Sequence, residues 1–474
     1  MSCGKMGVSE RPFFKFPSLA LFLVASLLSW GVNDAKEFSP HIVKHLPGFE
    51  GTIPFNLETG YVSVGDSEEF ELFYYFAESE SSNPKEDPLL VWLTGGPGCS
   101  ALSGLLFEIG PLKVKKLPYD GSVPSLTLNP HSWSKVVNII FLDQPVGTGF
   151  SYASVDNYSM TDTKAAKLVH QFITKWLNDH PMFLSSPLYV AGDSYSGYVV
   201  PIIVQEVSDG IAAGQQPRLN LKGYILGNPT TDSKYDSGSL VPFVHGVGLI
   251  SDELYEAAQR SCGGDYTNIK NLKCAEAVQA VNMNLIGINT VHILEPFCAF
   301  ASRKPGEMLQ NRRVLYENLI EQPIPDFTCR SYDYMLAHRW ANNDTVQQAL
   351  GIHKGTIREW QRCNYFIPYK NDVASALDYH RNLSTKGYRA LVYSGDHDLT
   401  CPHLGTQAWI RSLNFSIVSD WRSWWAGGQV AGYTRTYANN MTFATVKGGG
   451  HTAPEYRPKE CFEMIQRWAF GLPL

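Results

Sequence analysis

Hydrophobic residues along this chain fall into two patterns, short continuous runs and longer amphipathic stretches. The runs at 89–93 (Leu-Leu-Val-Trp-Leu), 136–142, 188–191 and 221–226 are almost wholly apolar. Runs of this length predict strands buried on both faces. The segment at 163–178 is amphipathic, and a second helical pattern starts near 197 and runs through Ile202, Ile203, Val204 and Val207. Strands alternating with helices imply a mixed, mostly parallel central sheet with helices on both faces, the architecture of an α/β protein. Ahead of it, 61–64 and 70–76 alternate polar and apolar residues and predict an antiparallel pair. Sheet signals return at 388–393 and 441–446, and an amphipathic helix at about 459–470 closes the chain.

Between 232 and 333 the strand signals fade. Helical segments at 252–260 and 272–281 dominate, and four cysteines cluster there. This predicts an inserted, mainly helical cap. Inside it the charged stretch near 300–325 carries Arg303-Lys304 and Arg312-Arg313, sites for proteolysis that would excise a linker. The expected organisation is a signal peptide at 1–35, a first part of the core at 36–231, the cap at 232–333 and a second part of the core at 334–474.

Ligands of such sheets bind at the carboxyl ends of the strands. The 188–191 strand leads into Gly192-Asp-Ser-Tyr-Ser-Gly197 and then a helix. Strand, tight turn, serine and helix form the layout of a nucleophile elbow, with Ser194 at the tip. The usual G-x-S-x-G is altered, because Ser196 takes the last glycine position. The two late strands end at candidate partners, Asp396 and Asp398 after the first and His451 after the second. A serine hydroxyl needs a histidine to take its proton and a carboxylate to orient that histidine. The chain order Ser194, Asp398, His451 is that of the α/β-hydrolase fold. Two backbone N–H groups must face the developing oxyanion. One can come from Gly95-Gly96-Pro97-Gly98 after the 89–93 strand, the other from Tyr195.

Composition narrows the setting. The chain has 474 residues and a formal net charge of −6, no footprint for nucleic acid. Lys5, Arg11 and Lys15 precede an apolar run at 19–32, which is short for a membrane span and fits a signal peptide cleaved near 31–35. No stable membrane insertion is expected. Sequons at Asn157, Asn343, Asn382, Asn414 and Asn440 and eight cysteines beyond Cys3 agree with the secretory pathway, ending in the vacuole lumen or outside the cell. No cysteine pair has zinc-site spacing, so neither a structural metal nor a cofactor is expected.

Together, Trp92-Leu-Thr-Gly-Gly-Pro-Gly-Cys-Ser100, Phe107-Glu-Ile-Gly-Pro111, Asp143-Gln-Pro-Val-Gly-Thr-Gly-Phe-Ser-Tyr152, Gly192-Asp-Ser-Tyr-Ser-Gly197, Gly395-Asp-His-Asp398 and Gly450-His-Thr-Ala-Pro-Glu-Tyr456 resemble the serine carboxypeptidase family. The resemblance spans essentially the whole chain after the leader. It implies Ser194 as nucleophile, Asp398 rather than Asp396 as acid, His451 as base, and Gly96 and Tyr195 as oxyanion donors. It also implies disulfides Cys99–Cys363, Cys262–Cys274 and Cys298–Cys329, with Cys401 and Cys461 free.

Peptidases of that family have Asn where Thr94 stands and Glu where Asp193 stands; with a Glu matching Glu108 these bind the peptide carboxylate. The replacements resemble the plant acyltransferase branch, as do the stretches at 406–416 and 420–424. That branch moves an acyl group from a 1-O-β-acylglucose donor to an acceptor hydroxyl. The resemblance makes Thr94, Gly95, Glu108, Asp193 and Tyr152 candidate contacts to sugar or acceptor. The competing expectation is a carboxypeptidase acting at acidic pH.

Overall fold

The strand-forming runs assemble into one twelve-stranded sheet. The computed structural model describes residues 40–298 and 325–474. The signal peptide expected at 1–35, and all but the last residue of the linker expected near 300–325, lie outside the described residues. In chain order the strands of this sheet are β1 (His41–Val43), β2 (Leu57–Val64), β3 (Phe70–Ala77), β4 (Leu89–Leu93), β5 (Asn138–Leu142) and β6 (Tyr152–Ala153). They continue with β7 (Leu188–Asp193), β8 (Leu221–Gly227), β9 (Arg389–Gly395), β10 (Ile417–Ala426), β11 (Gln429–Tyr437) and β12 (Met441–Val446).

Their spatial order is β1-β2-β3-β5-β4-β7-β8-β9-β12-β11-β10, with β6 paired to β3. The six strands from β5 to β12 in that order run parallel. Both flanks are antiparallel. The reason is connection length. Only a few residues join β2 to β3, β10 to β11 and β11 to β12, and short connections can link only antiparallel neighbours. The parallel part is therefore the centre of the sheet and not its whole width.

The central strands divide their side chains with period two. Leu90 and Trp92 of β4 enter one core with Phe73, Phe141 and Tyr393. Leu89, Val91 and Leu93 enter the other with Ile140, Val190 and Val392. The first core also takes in Trp340, Met464 and Trp468, from the helices Arg330–Ala341 and Pro458–Ala469. The second is covered by the helices Asp162–Asp179 and Ser196–Ala212, through residues such as Phe172, Trp176, Ile203 and Val207. Each such side chain, fully removed from water, contributes about 1.5–3 kcal/mol. Burial on both faces explains why these strands read as unbroken apolar runs.

The insert carries helices Leu240–Gly246, Asp252–Cys262 and Leu272–Asn284. Ser251 and Asn271 cap the last two by accepting the N–H groups of Leu254 and Cys274. The disulfide Cys262–Cys274 ties those helices together. Val241, Phe243, Val244 and Val281 form a small separate core that also takes in Leu399, next to Asp398. The boundary expected at 333/334 falls inside the helix Arg330–Ala341.

Candidate active site

The loops that leave β4, β7, β8, β9 and β12 all open at the carboxyl end of the parallel centre. Ser194 follows β7 directly and adopts φ 54°, a left-handed backbone that costs a non-glycine residue about 1–2 kcal/mol. Hydrogen bonds hold it there. Ser194 N–H donates to Gly227 O (2.9 Å), and its carbonyl accepts from Gly197 N–H (3.0 Å) and Thr230 N–H (2.9 Å). A Cβ on Gly192 would sit 2.4 Å from Leu93 O and 2.6 Å from Ser196 Cβ, so the turn closes only over glycine. Ser196 is tolerated in the last motif position because its hydroxyl donates to Leu93 O (3.0 Å).

His451 lies on the loop after β12. Its Nδ1–H donates to Asp398 Oδ2 at 2.8 Å, which leaves Nε2 to accept the Ser194 hydroxyl at 2.8 Å. Asp398 is fully buried. Oδ2 also accepts Asn228 Nδ2–H (2.8 Å) and Cys401 N–H (3.2 Å), and Oδ1 accepts Thr400 N–H (2.8 Å). Asp396 does not reach this chain. Its Oδ1 takes Gly448 N–H (2.6 Å) and pairs with His397 Nδ1 (2.6 Å), tying the acid loop to the histidine loop. Asn228, which braces Asp398, is not among the candidate residues named from the sequence. The signal was there: Gly227-Asn-Pro ends a buried strand, where each neighbouring strand ends in a site loop.

Gly95 packs on the Ser194 turn, where a Cβ would lie 2.6 Å from Ser194 Cβ and 2.8 Å from Tyr195 N. This close approach sets the Gly95-Gly96 backbone beside the serine. Asp143, fully buried, pins the loop by accepting Ser100 Oγ–H (2.6 Å) and Ala101 N–H (2.8 Å). The disulfide Cys99–Cys363 anchors its far side.

Thr94, Asp193 and Glu108 are buried close by. Asp193 Oδ1 accepts Gly95 N–H at 3.0 Å. Glu108 ends a π-helical turn, Gly104–Glu108. Burial holds its carboxyl well above the usual carboxylate range, and neighbouring Asp193 and Glu455 push it the same way. Asp193, raised chiefly by burial, is pushed up to about 6, while His451 and the Gly95 N–H pull against the rise. Thr94 Oγ1 and Glu108 Oε2 are buried and have no hydrogen-bond partner among the described residues. Next to Glu108, the Phe107 ring packs edge-on against Tyr334 (5.0 Å). Tyr334 lines a cavity of about 260 Å³ together with Val291, Arg330 and Tyr456.

Tyr152 stands apart. It pairs with Glu71 at the far end of β3, and its hydroxyl contacts His353 Nδ1 (2.9 Å). The structure thus places it on the same end of the sheet, in line with β5 along the edge of β3 and two strands from the serine strand. The disulfides Cys99–Cys363, Cys262–Cys274 and Cys298–Cys329 are formed, and Cys401 and Cys461 are free and buried. Burial pushes the Cys401 thiol well up, so it sits neutral beside Asp398 and His451, a poor metal ligand. Asn157, Asn382, Asn414 and Asn440 are exposed. Asn343 caps a helix through Oδ1, and Asn440 Nδ2–H donates to Gly387 O (3.1 Å). No described helix is long and apolar enough to cross a membrane.

A serine on a strained strand-to-helix turn, facing a histidine and a buried aspartate across a sheet of this topology, defines an α/β-hydrolase-fold protein. The comparisons are specific beyond that. The model of the family described as serine carboxypeptidase matches residues 47–471. Serine carboxypeptidase-like 1 of Arabidopsis thaliana is 54% identical over 439 residues, covering 92% of this chain and 94% of that one. Serine carboxypeptidase-like 10 of the same plant is 52% identical, with 92% and 95% covered. The chain belongs to the serine carboxypeptidase family. Among solved structures, the prohormone-processing carboxypeptidase Kex1 of Saccharomyces cerevisiae superposes with a TM-score of 0.70 at 20% identity, covering 91% of this chain and 96% of that one. At that identity the likeness speaks for the fold.

Proposed function

We propose that this protein is an acyltransferase that moves an acyl group from a 1-O-β-acylglucose to an acceptor hydroxyl. Ser194 Oγ attacks the ester carbonyl and gives its proton to His451 Nε2. Asp398 holds the tautomer and stabilises the imidazolium. The oxyanion is taken by the N–H groups of Gly96 and Tyr195. Glucose leaves with the proton from His451, and the acyl-serine remains. The acceptor hydroxyl then attacks, His451 takes its proton, and Ser194 is restored. No metal or cofactor enters this scheme.

The observation that carries the reading is the state of Asp193 and Thr94. Capture of a peptide carboxylate calls for donors. Asp193 spends Oδ1 on Gly95, and position 94 offers a hydroxyl in place of an amide. Buried hydroxyl and carboxyl oxygens at 94 and 108 match the hydroxyls of a sugar, which both donate and accept. Thr94, Gly95, Glu108 and Asp193 would hold the glucosyl group, and the outlying Tyr152 a more distant part of donor or acceptor. The disulfides fit an oxidising compartment, the secretory pathway or vacuole lumen, with glycans at the exposed sequons.

Two features favour the second reading, a carboxypeptidase at acidic pH: Asp193, raised to about 6, is protonated there and can donate, and so is its neighbour Glu108. Glu108 holds its proton over a wide range and could donate to a carboxylate. The test sets an aromatic acyl-glucose plus an acceptor alcohol beside a blocked dipeptide. Glucose release with acylated acceptor is expected. Peptide cleavage without glucose-ester turnover would reverse the assignment.

A further inference from the structure

The insert sends one segment, 289–295, between the two catalytic loops. On one side Thr290 O accepts the N–H groups of Leu399 (2.9 Å) and Thr400 (3.0 Å), and Ile293 N–H donates to His397 O (3.1 Å). On the other side His451 N–H donates to Val291 O at 2.7 Å. The side chain wedged into this junction is His292, only 7% exposed. Its ring stacks on His397 (5.6 Å between centroids, 16° between planes) and packs on Tyr456 at 4.6 Å. Nε2 lies 3.3 Å from Gly448 O, and Leu294 N–H donates to Nδ1 at 3.3 Å. Only a neutral ring protonated at Nε2 satisfies both contacts. The ring has room because position 450 is glycine, where a Cβ would lie 2.8 Å from His292 Cδ2.

We propose that His292 is a positioning residue for His451. Its imidazole donates to Gly448 O and fills the space behind the Gly448–Gly450 turn. It thereby fixes the turn that sets His451 Nε2 at 2.8 Å from Ser194 Oγ. His292 itself touches neither the serine nor the aspartate of that chain. The charged and titratable groups facing it are Glu295 on its own segment, His397 on the acid loop, Arg330 on the following helix and Tyr456 after the base. Burial, the largest influence, opposes the imidazolium, as do His397 and Arg330; the Gly448 carbonyl and Glu295 favour it, and the balance keeps the ring neutral. The inference rests on the Ser194–His451–Asp398 reading and is independent of which donor or acceptor is used.

The test is the rate at which a fluorophosphonate labels Ser194, since this probe reports the activated serine without any sugar ester. His292→Gln keeps a donor that reaches Gly448 O. His292→Asn keeps an acceptor for Leu294 N–H but is too short for Gly448. Labelling should slow by about tenfold in His292→Asn and stay within about threefold in His292→Gln, the size expected when a reacting pair is displaced by a fraction of an ångström. In acyl transfer, kcat should fall in His292→Asn with KM nearly unchanged. Tm is measured on both. Equal labelling in both variants and the wild type would overturn the proposal, as would equal losses that follow Tm. If His292→Asn fails to fold, labelling of His292→Gln at less than about a tenth of the wild-type rate overturns it. Normal labelling by an enzyme that never releases glucose would sink the donor assignment and leave His292 standing. Labelling of Ser194→Ala would sink the serine assignment instead.

Discussion

Two buried corners flank the Ser194 turn, and their polar atoms are treated differently. On the Asp398 side each carboxylate oxygen has donors: His451, Asn228 and Cys401 on Oδ2, and Thr400 on Oδ1. On the Asp193 side Thr94 Oγ1 and Glu108 Oε2 are buried without partners among the described residues. A buried polar atom left unpaired costs about 1–3 kcal/mol, so native proteins rarely keep one without use. The satisfied corner maintains a geometry. The function proposed above places substrate choice at the unsatisfied corner.

That contrast breaks most sharply at the serine. Ser194→Ala should lower kcat by about 10⁴-fold or more while leaving Tm close to wild type, because the hydroxyl adds chemistry and little packing. Initial rates with the acyl-glucose donor check this, and retention of even a tenth of the activity would contradict it. The next effect lies behind the carboxylate. Asn228→Ala removes one donor from Asp398 Oδ2 and the acceptor of Gly395 N–H, 3.1 Å away. It should lower kcat by about 10–100-fold and destabilise the fold by about 1–3 kcal/mol, since buried partners are left unpaired.

The opposite corner should answer to pH instead. The Asp193 carboxyl is raised from 3.8 to about 6 in the folded protein. Folding therefore favours its protonated form, and the stability tied to it is full below about pH 4. It is lost as pH rises through about 6. Asp193→Asn should flatten the fall of Tm between pH 4 and pH 6, an effect of a few kcal/mol at most. Parallel Tm curves for variant and wild type would show that Asp193 does not titrate in that window.

Much of the fold was legible because both faces of the central strands are dry. Leu89–Leu93 and Leu188–Asp193 feed two cores, so their apolar runs announce them. The hairpin β10–β11 was not legible. Strand Ile417–Ala426 lies at the sheet edge with most residues exposed, and its pairing shifts register three times. Exposure and bulges together erase the alternation that marks a half-buried strand. The site followed the same logic. Ser194, Asp398 and His451 each follow a buried strand, so position alone made them candidates. Asn228 does too, but its partner Asp398 lies 170 residues away, a pairing that spacing alone does not reveal. His292 sits in a helical insert with no strand to frame it, and only the packed structure brings it against Gly448.

The central claim is that Thr94 and Asp193, beside an ordinary serine–histidine–aspartate chain, select a sugar ester over a peptide. The double variant Thr94→Asn/Asp193→Glu restores the amide and the longer acid. Its ratio of kcat/KM for a blocked dipeptide to that for an acyl-glucose should rise by about 100-fold, the scale on which sites built from polar contacts discriminate. A ratio equal to that of the wild type, in a variant that still labels at Ser194, would contradict the claim.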